Sequence, residues 1–566
     1  MQPMLRTLPV SRQRVENFGG LNRRLRPAVG EFARAENLCA NHYPLLCTRP
    51  GRGETALAGQ AGGMLAGDGL CWVEDTALVL PSGRRELGLT PGEKRLVAMG
   101  SYILIFPDKK YANTLDVEDF GSMEAEYIAG QEVRITPCTL EGGDRAPDFI
   151  QPEAPEEPEN GALWVDTSGE SPALKQWSQA GSLWVSLDGG YLRLEAPGIG
   201  RDFRQYDGVS LSGVEALAGE NTIWLAGENA LVISGLLAEL PGTLTGLTIR
   251  RWVPEMDYVT QCGNRLWGCR AGKNRLGQTV NEIYCCKLGD FRNWNSYLGL
   301  STDSFTLSVG APGSFTGAVT YLGMPLFFKE DCMFKLYGAY PAAFRVQCSP
   351  CRGVQAGCAG SLAVGDGVLY YRSPFGVCAY DGAQFTDISP ALGQGEVTHA
   401  AGAVLGDTYY LAMDLGGQEA VYSYHTRRGI WHMQPGTAIR ELAAVGTRLY
   451  AREEGGQLVC LRGEQSREKI SWLAQTGTLF PQTPEGFLRG VELELALEPH
   501  GMVRVLARYD GQGAWQSLGA AGSAGQRFRL TLRPRRCCRM ELRLEGQGGA
   551  RLYAMTLLWQ KGEGEL

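Results

Sequence analysis

The sequence has few histidines and no long apolar run. Only five of its 566 residues are histidine, and the intervals between them do not match the spacing of histidines that bind a metal ion. The longest apolar runs, such as Tyr102–Phe106, have the length of a strand, so no membrane-spanning or membrane-anchoring segment is expected. The first nine residues lack the apolar core of a signal peptide. We therefore expect the chain to be synthesised and to fold in a cytoplasm.

The familiar catalytic motifs are also missing. The sequence contains no P-loop, no G-x-S-x-G turn, no Rossmann glycine turn and no sialidase-type box. Adjacent carboxylates such as Glu330-Asp331 and Glu453-Glu454 are frequent, so counting alone leaves a glycosidase pair open. The sequence predicts a protein that is not an enzyme, with no catalytic residue and no cofactor.

Sixteen cysteines are scattered along the chain, including two adjacent pairs. Cys348 and Cys351 form one C-x-x-C motif, but zinc would need four ligands and no second such pair follows. A redox motif would open a helix in an α/β fold, whereas Pro350 and β-rich sequence surround this one. Zinc and redox sites stay open as alternatives, while the prediction is buried, reduced thiols and no metal.

A repeat of about forty residues runs through the second half of the chain. Gly323, Gly365, Gly406 and Gly446 each open a turn that leads into an aromatic or β-branched strand. Similar starts lie near residues 67, 100, 221 and 263. This period, with about four strands in each unit, is typical of β-propeller blades, which must stack on neighbours to bury their faces. The sequence predicts an all-β fold with a propeller of six or seven blades.

Three regions follow from these patterns. Residues 1–55, broken by Pro, Gly and Asn, are predicted to be an extended N-terminal arm that docks on a partner and can be removed without unfolding the propeller. Residues 56–468 form the propeller, with a Pro/Glu-rich linker and a small Trp-containing insertion near 141–190. Residues 469–566 alternate polar and apolar positions between glycine turns and are predicted to form an antiparallel β-sandwich.

The two ends are basic, although the net charge of the chain is −7. Residues 1–52 hold nine Arg and three Glu, and residues 489–551 hold eleven Arg, one Asp and five Glu. Solvated surface is the simpler explanation. The sharper one is docking on acidic neighbours, for which the candidates are Arg23, Arg24, Arg26, Arg535 and Arg536. The acidic body of the chain would repel nucleic acid.

Four segments resemble a family of tailed-bacteriophage virion proteins. They are Phe18-Gly-Gly-Leu-Asn22 with residues 36–50, residues 102–114, residues 281–338, and a terminal module that includes residues 503–515 and 534–539. The family is similar to the propeller-bearing tail hub, nozzle and DNA-stabilisation proteins of short-tailed phages. The resemblance implies a structural protein of the virion without catalytic residues.

The same resemblance implies particular partners. Copies of the chain would form a ring, a hexamer, on the tail axis and contact adjacent tail, portal or adaptor proteins. Such a ring would help to retain DNA and let it pass an acidic channel without sequence-specific binding. The alternative is a peripheral tail protein that binds or degrades host-surface glycans with exposed aromatic residues and paired carboxylates. Position in the virion separates these two functions.

Overall fold

The computed structural model describes residues 10–53, 60–169, 171–187, 189–236, 242–463, 468–481, 486–522, 527–537 and 539–561. The fold is all-β, as predicted. Among the described residues, helical structure is limited to three short 3₁₀ turns, at Glu215–Leu217, Pro341–Ala343 and Ala359–Ser361. In the same residues no helix is long and apolar enough to cross a membrane.

Seven antiparallel sets of three or four strands lie side by side, and we call them ring sheets 1 to 7; the sixth is part of a ten-stranded sheet. Their strands, in order and separated by sheet, are Ala61–Ala66, Leu70–Glu74, Ala77–Leu80 and Gly83–Glu86; Arg95–Met99, Tyr102–Phe106, Lys110–Asn113 and Phe120–Ser122; Tyr258–Cys262, Arg265–Lys273, Thr279–Cys285 and Phe305–Ser308; Gly317–Tyr321, Met324–Phe328, Cys332–Tyr337 and Arg345–Pro350; Ala363–Gly365, Val368–Ser373, Gly376–Tyr380 and Phe385–Asp387; Ala400–Leu405, Thr408–Leu415, Gln418–His425 and Ile430–Pro435; and Ile439–Val445, Arg448–Glu453 and Leu458–Arg462.

The seven sheets close on themselves. The first strand of each sheet contacts that of the next, with the turn Ala359–Ser361 bridging sheets 4 and 5, and the first strand of sheet 7 contacts that of sheet 1. Hydrogen bonds join ring sheet 7 to ring sheet 1. The Ala61 N–H donates to the Gly456 carbonyl at 2.7 Å, and the Met64 N–H donates to the Glu441 carboxylate at 3.0 Å. The sheets therefore surround a common centre.

The forty-residue repeat corresponds to the second strands of ring sheets 4 to 7. Gly323, Gly406 and Gly446 have positive φ and occupy the turns just before these strands. The starts near residues 67 and 100 belong to two separate sheets, although the sequence allowed them to share one unit. The start near residue 221 lies outside the ring, so its assignment to the repeat was wrong.

Residues 125–251 form an insertion between ring sheets 2 and 3. One sheet of the insertion has its own apolar core, and a smaller four-stranded sheet contains Trp164, Trp177 and Trp184. The strands of the larger sheet, in spatial order, are Ala125–Ile128, Thr248–Arg251, Gly208–Ser212, Gly219–Gly227, Ala230–Ser234, Tyr191–Glu195, Val133–Cys138 and Thr243–Leu244. Those of the smaller sheet are Phe149–Gln151, Leu163–Asp166, Ala173–Ser178 and Leu183–Ser186.

The C-terminal region contributes to two sheets, one of which is the ten-stranded sheet that includes ring sheet 6. In one, Ser471–Thr476, Met540–Gln547, Met502–Tyr509 and Gln512–Gly522 follow each other. In the other, Ala550–Lys561 pairs with Gly486–Leu497, which pairs with Phe528–Leu532. Buried residues of both sheets, such as Leu493 and Met555 from one and Val505 and Leu542 from the other, belong to a single apolar cluster.

The N-terminal segment forms strands of these sheets, which differs from the extended arm expected for residues 1–55. Val10–Val15 pairs with Ala550–Lys561, and Leu38–Cys39 with Leu46–Thr48, which in turn pairs with Ala550–Lys561. Glu31–Glu36 pairs with Ser471–Thr476 and reaches the last strand of ring sheet 6 at Met433; the short strand Gly20–Leu21 lies beside it. The partners of Val10–Val15 and the antiparallel partner of Glu31–Glu36 are hundreds of residues away, so no local pattern revealed these two strands.

Side chains of this segment also fill the main core. Phe18, Leu21, Phe32 and Ala35 are buried in the same cluster as the ring and C-terminal residues. Gly20 has φ +69°, and a Cβ there would lie 2.5 Å from the Trp431 carbonyl oxygen, so only glycine fits this close approach. The segment is therefore part of the folded core, and removing residues 1–52 is expected to unfold it.

Phe32 provides a direct test of this assignment. Its side chain is fully buried, and Arg34 on the same strand is exposed. We expect Phe32→Ala to lower the free energy of unfolding by about 3–5 kcal/mol, because it removes a large buried side chain and leaves a cavity. Arg34→Ala, the control, should change it by less than about 1 kcal/mol. Denaturant unfolding of both variants measures this; equal stability of Phe32→Ala and wild type would mean that the segment is a detachable arm.

His432, which lies where the N-terminal segment contacts ring sheet 6, makes the stability of the fold depend on pH. The side chain is buried in the last strand of ring sheet 6, beside Gly20, and burial, with a smaller contribution from the charge of His425, lowers its pKa from 6.5 to about 3. The unfolded chain therefore binds a proton that the folded chain does not between about pH 3 and 6.5, so this group lowers stability as pH falls below 6.5.

We expect this residue alone to reduce the free energy of unfolding by about 2 kcal/mol at pH 5 relative to pH 8. The measurement is denaturant unfolding at several pH values, comparing wild type with His432→Leu. The variant should lose this part of the pH slope, whereas His500→Gln, which changes an exposed histidine, should keep it. An unchanged slope in His432→Leu would contradict a buried neutral imidazole.

Candidate functional site

The three N-terminal candidates for docking differ from one another. The Arg23 guanidinium donates to the Met433 sulfur at 3.0 Å and lies 5.9 Å from the centre of the Tyr422 ring. Arg23 thus joins the N-terminal segment to ring sheet 6 and is used within the chain. Arg24 and Arg26 are exposed, and their side chains make no ion pair within the described residues.

The two C-terminal candidates lie in a loop that we call the arginine loop, whose described residues are 533–537 and 539. It connects the strands Phe528–Leu532 and Met540–Gln547. Its four arginines, all exposed and none in an ion pair with a described carboxylate, are Arg533, Arg535, Arg536 and Arg539. The loop therefore concentrates unpaired positive charge in seven residues.

Aromatic rings hold two of these guanidinium groups. The Arg535 guanidinium lies 4.3 Å from the centre of the Tyr509 ring, and that of Arg536 lies 4.4 Å from the centre of the Phe487 ring. The Arg535 backbone N–H also donates to the Tyr509 hydroxyl at 3.2 Å. A cation over a ring keeps its N–H donors free, so both groups can still bind carboxylates of a partner.

An acidic counterpart lies in the insertion, at residues 153–159, which we call the acidic loop. It belongs to the Pro/Glu-rich segment and precedes the second strand of the small sheet. Glu153, Glu156, Glu157 and Glu159 are exposed, and none of their carboxylates accepts a hydrogen bond or an ion pair from the described part of the chain. The chain thus carries two compact loops of opposite charge, and neither forms an ion pair with a described residue.

A cavity of about 1010 Å³ lies at the centre of the seven ring sheets. First strands from several sheets line it, with residues such as Met64, Arg95, Tyr258, Ala318 and Glu441. Glu441 has a raised pKa because it is buried, although Arg452 opposes the shift and donates to it from Nε at 2.7 Å.

The charges around this cavity are balanced. Four lining side chains are cationic and four are carboxylates, namely Lys94, Arg95, Arg440, Arg452, Glu93, Asp257, Glu441 and Glu454. Most are paired: Lys94 with Asp108 at 2.6 Å, Arg440 with Glu454, and Arg452 with both Glu441 and Glu93. The lining of this cavity therefore carries no excess of either charge.

The cysteines are mostly buried, as predicted. Thirteen of the fifteen described cysteines are buried. Cys348 is exposed and Cys351 half-buried, and burial is the main reason that the pKa of Cys351 is raised to about 12. Among the described residues, no group of three or more His, Cys, Asp or Glu side chains could hold a metal ion.

The tryptophans of the small sheet pack on one another. The centre of the Trp184 ring lies 5.2 Å from that of Trp164 and 5.3 Å from that of Trp177. The Lys175 ammonium group lies 4.7 Å from the centre of the Trp164 ring. Trp164 is buried. Trp164 therefore belongs to the core of this sheet, and the half-buried Trp184 and Trp177 continue the ring cluster from it.

Comparisons with known proteins give no identification. No protein-family model matches the chain, and no curated protein matches it. Among solved structures, similar chains include the computationally designed Ika8 protein (10% identity, 71% of this chain and 96% of that one, TM-score 0.33) and BamB from Moraxella catarrhalis (11%, 61% and 99%, TM-score 0.23).

A third similar structure is the glycoside hydrolase family 43 arabinoxylan arabinofuranohydrolase from Bacillus subtilis (10% identity, 67% of this chain and 94% of that one, TM-score 0.18). At such TM-scores, these likenesses assign neither a fold family nor an activity to this chain.

Sequence reasoning found the arginine loop but missed two features. The acidic loop was recognised only as a linker, although four Glu within seven residues gave a visible signal. The central cavity could not be foreseen, because its lining comes from segments that are far apart in the sequence and meet only when the ring closes.

Proposed function

We propose that the ring sheets are the blades of a seven-bladed β-propeller, that the two C-terminal sheets form a β-sandwich, and that the protein is a structural component of a bacteriophage virion. Copies would form a ring at the tail or the head–tail junction, in contact with neighbouring tail, portal or adaptor proteins. The closed order of sheet contacts supports the propeller, and the four phage-like segments support the virion role.

The observation that carries the assembly role is the pair of oppositely charged loops. The arginine loop and the acidic loop each hold four exposed charges that find no ion-pair partner within the described chain. Charges of this kind suit a partner surface, where removal of water strengthens their attraction. Guanidinium groups that aromatic rings already hold lose little further freedom when they bind carboxylates.

A ring of copies follows if the two loops bind each other. The acidic loop of one copy would contact the arginine loop of the next, which is a head-to-tail interface between two different surfaces. Such heterologous contacts close into a ring when the rotation between copies is a simple fraction of a turn. A hexamer satisfies this condition, and the axial opening of the ring would then retain DNA and let it pass.

Charge exchange between the loops tests this proposal. We expect Arg535→Glu with Arg536→Glu to abolish the ring, and Glu156→Arg with Glu157→Arg to do the same, because each places like charges together. Combining all four substitutions should restore the ring. Mass photometry at several protein concentrations measures the assembly, and melting temperatures should stay near that of wild type, since exposed charges contribute about 0–1 kcal/mol each to folding.

Arg201→Glu with Arg204→Glu is the matched control, because both residues are exposed and lie in neither loop. This variant should assemble as wild type does. Assembly that survives either loop reversal, a fourfold variant that stays monomeric, or a wild-type chain that is monomeric throughout would contradict the loop-to-loop ring.

A further inference from the structure

One guanidinium in the central cavity has no carboxylate partner. Arg95 begins the first strand of ring sheet 2 and is partly buried among the cavity-lining residues. No hydrogen bond or ion pair of its side chain is present among the described residues. Its one close partner is an aromatic ring, that of Tyr258, whose centre lies 5.6 Å from the guanidinium carbon.

The nearby carboxylates are already engaged. Glu441 accepts from the Arg452 Nε at 2.7 Å and from the Met64 N–H at 3.0 Å. Asp257 accepts from Arg270 at 2.5 Å and from the Ala271 N–H at 2.9 Å. Neither is hydrogen-bonded to Arg95, and the other cationic groups of the lining, Lys94, Arg440 and Arg452, are each in an ion pair.

Arg95 is therefore positioned for an anion from outside the chain. Burial lowers its pKa, yet a guanidinium stays protonated in proteins. A charge that is partly removed from water and unpaired gains most from a hydrogen-bonded counter-ion. The ring of Tyr258 fixes the group from one side without using its N–H donors, and these form a planar fork that matches two oxygens of a carboxylate or phosphate.

The size of the cavity fits a small molecule. Its volume of about 1010 Å³ is at the upper end of ordinary ligand sites. Thr260 and Gln261, on the same strand as Tyr258, supply further polar groups to the lining. We propose that the central cavity binds a small oxyanion-bearing ligand, held through its carboxylate or phosphate by the Arg95 guanidinium. This proposal is independent of the virion role.

Calorimetric titration of the full chain tests the site. The probes are inorganic phosphate, glucuronate as a sugar carboxylate, and glucose as a neutral sugar. We expect phosphate or glucuronate to bind and glucose not to bind. Binding of phosphate alone would assign a phosphate-bearing ligand, and binding of glucuronate alone a sugar acid.

Substitutions assign the binding to Arg95. Arg95→Met should weaken binding about 10- to 100-fold, the range expected for loss of a charged hydrogen bond. Arg95→Lys, which keeps the charge but not the fork, should also weaken it and is the variant to use if Arg95→Met does not fold. Arg440→Met removes the same charge from the same cavity, but from a paired residue, and should leave Kd nearly unchanged.

Melting temperatures show which variants are folded. The proposal is overturned if neither anion binds to wild type, if the Arg95 variants bind as wild type does, or if Arg440→Met weakens binding as much as Arg95→Met.

Discussion

The strand Glu31–Glu36 holds two large β assemblies together. One edge of the strand pairs antiparallel with Ser471–Thr476 of a C-terminal sheet, and its end reaches Met433 in the last strand of ring sheet 6. The Asn37 N–H continues this contact by donating to the Met433 carbonyl at 2.8 Å. Sheet 6 and the C-terminal strands thereby become one continuous sheet. Since Phe32 and Ala35 are buried in the shared core, this strand couples ring and C-terminal region in stability as well as in position.

Charge is distributed differently inside and outside this framework. Around the central cavity, cationic and acidic side chains are nearly all paired, so the interior is close to neutral apart from the unpartnered Arg95. Two exposed loops of opposite sign each carry four charges that have no ion-pair partner among the described residues. Buried charges need partners because the loss of water costs several kcal/mol per ion, which is a large part of the net free energy of unfolding of a domain. Exposed loops have no such constraint, and they can keep their charges free for another chain.

The sequence allowed the class of fold and most of the ring strands to be predicted. Gly323, Gly406 and Gly446 mark turns that a short-range pattern can show, and the strands after them alternate with local partners. The strands Val10–Val15 and Glu31–Glu36 were missed because they pair with residues hundreds of positions away, and Gly20–Leu21 because it is only two residues long. Residues 221–235 were placed in the ring because their local pattern is that of a ring unit; only their pairing with other insertion strands shows otherwise. Arg535 and Arg536 were visible in the sequence as a basic pair. That Arg95 has no carboxylate partner among the described residues could not be predicted, because it depends on which side chains meet across the ring.

Hydrogen exchange at the strand Glu31–Glu36 tests the central claim most directly. If this strand joins ring sheet 6 to the C-terminal sheet, its amides should exchange as slowly as those of Thr408–Leu415, because both open only when the common core unfolds. The measurement is amide exchange resolved by mass spectrometry on the full chain under native conditions. Rapid exchange of residues 32–36 beside a protected sheet 6 would show a detachable segment and contradict the account.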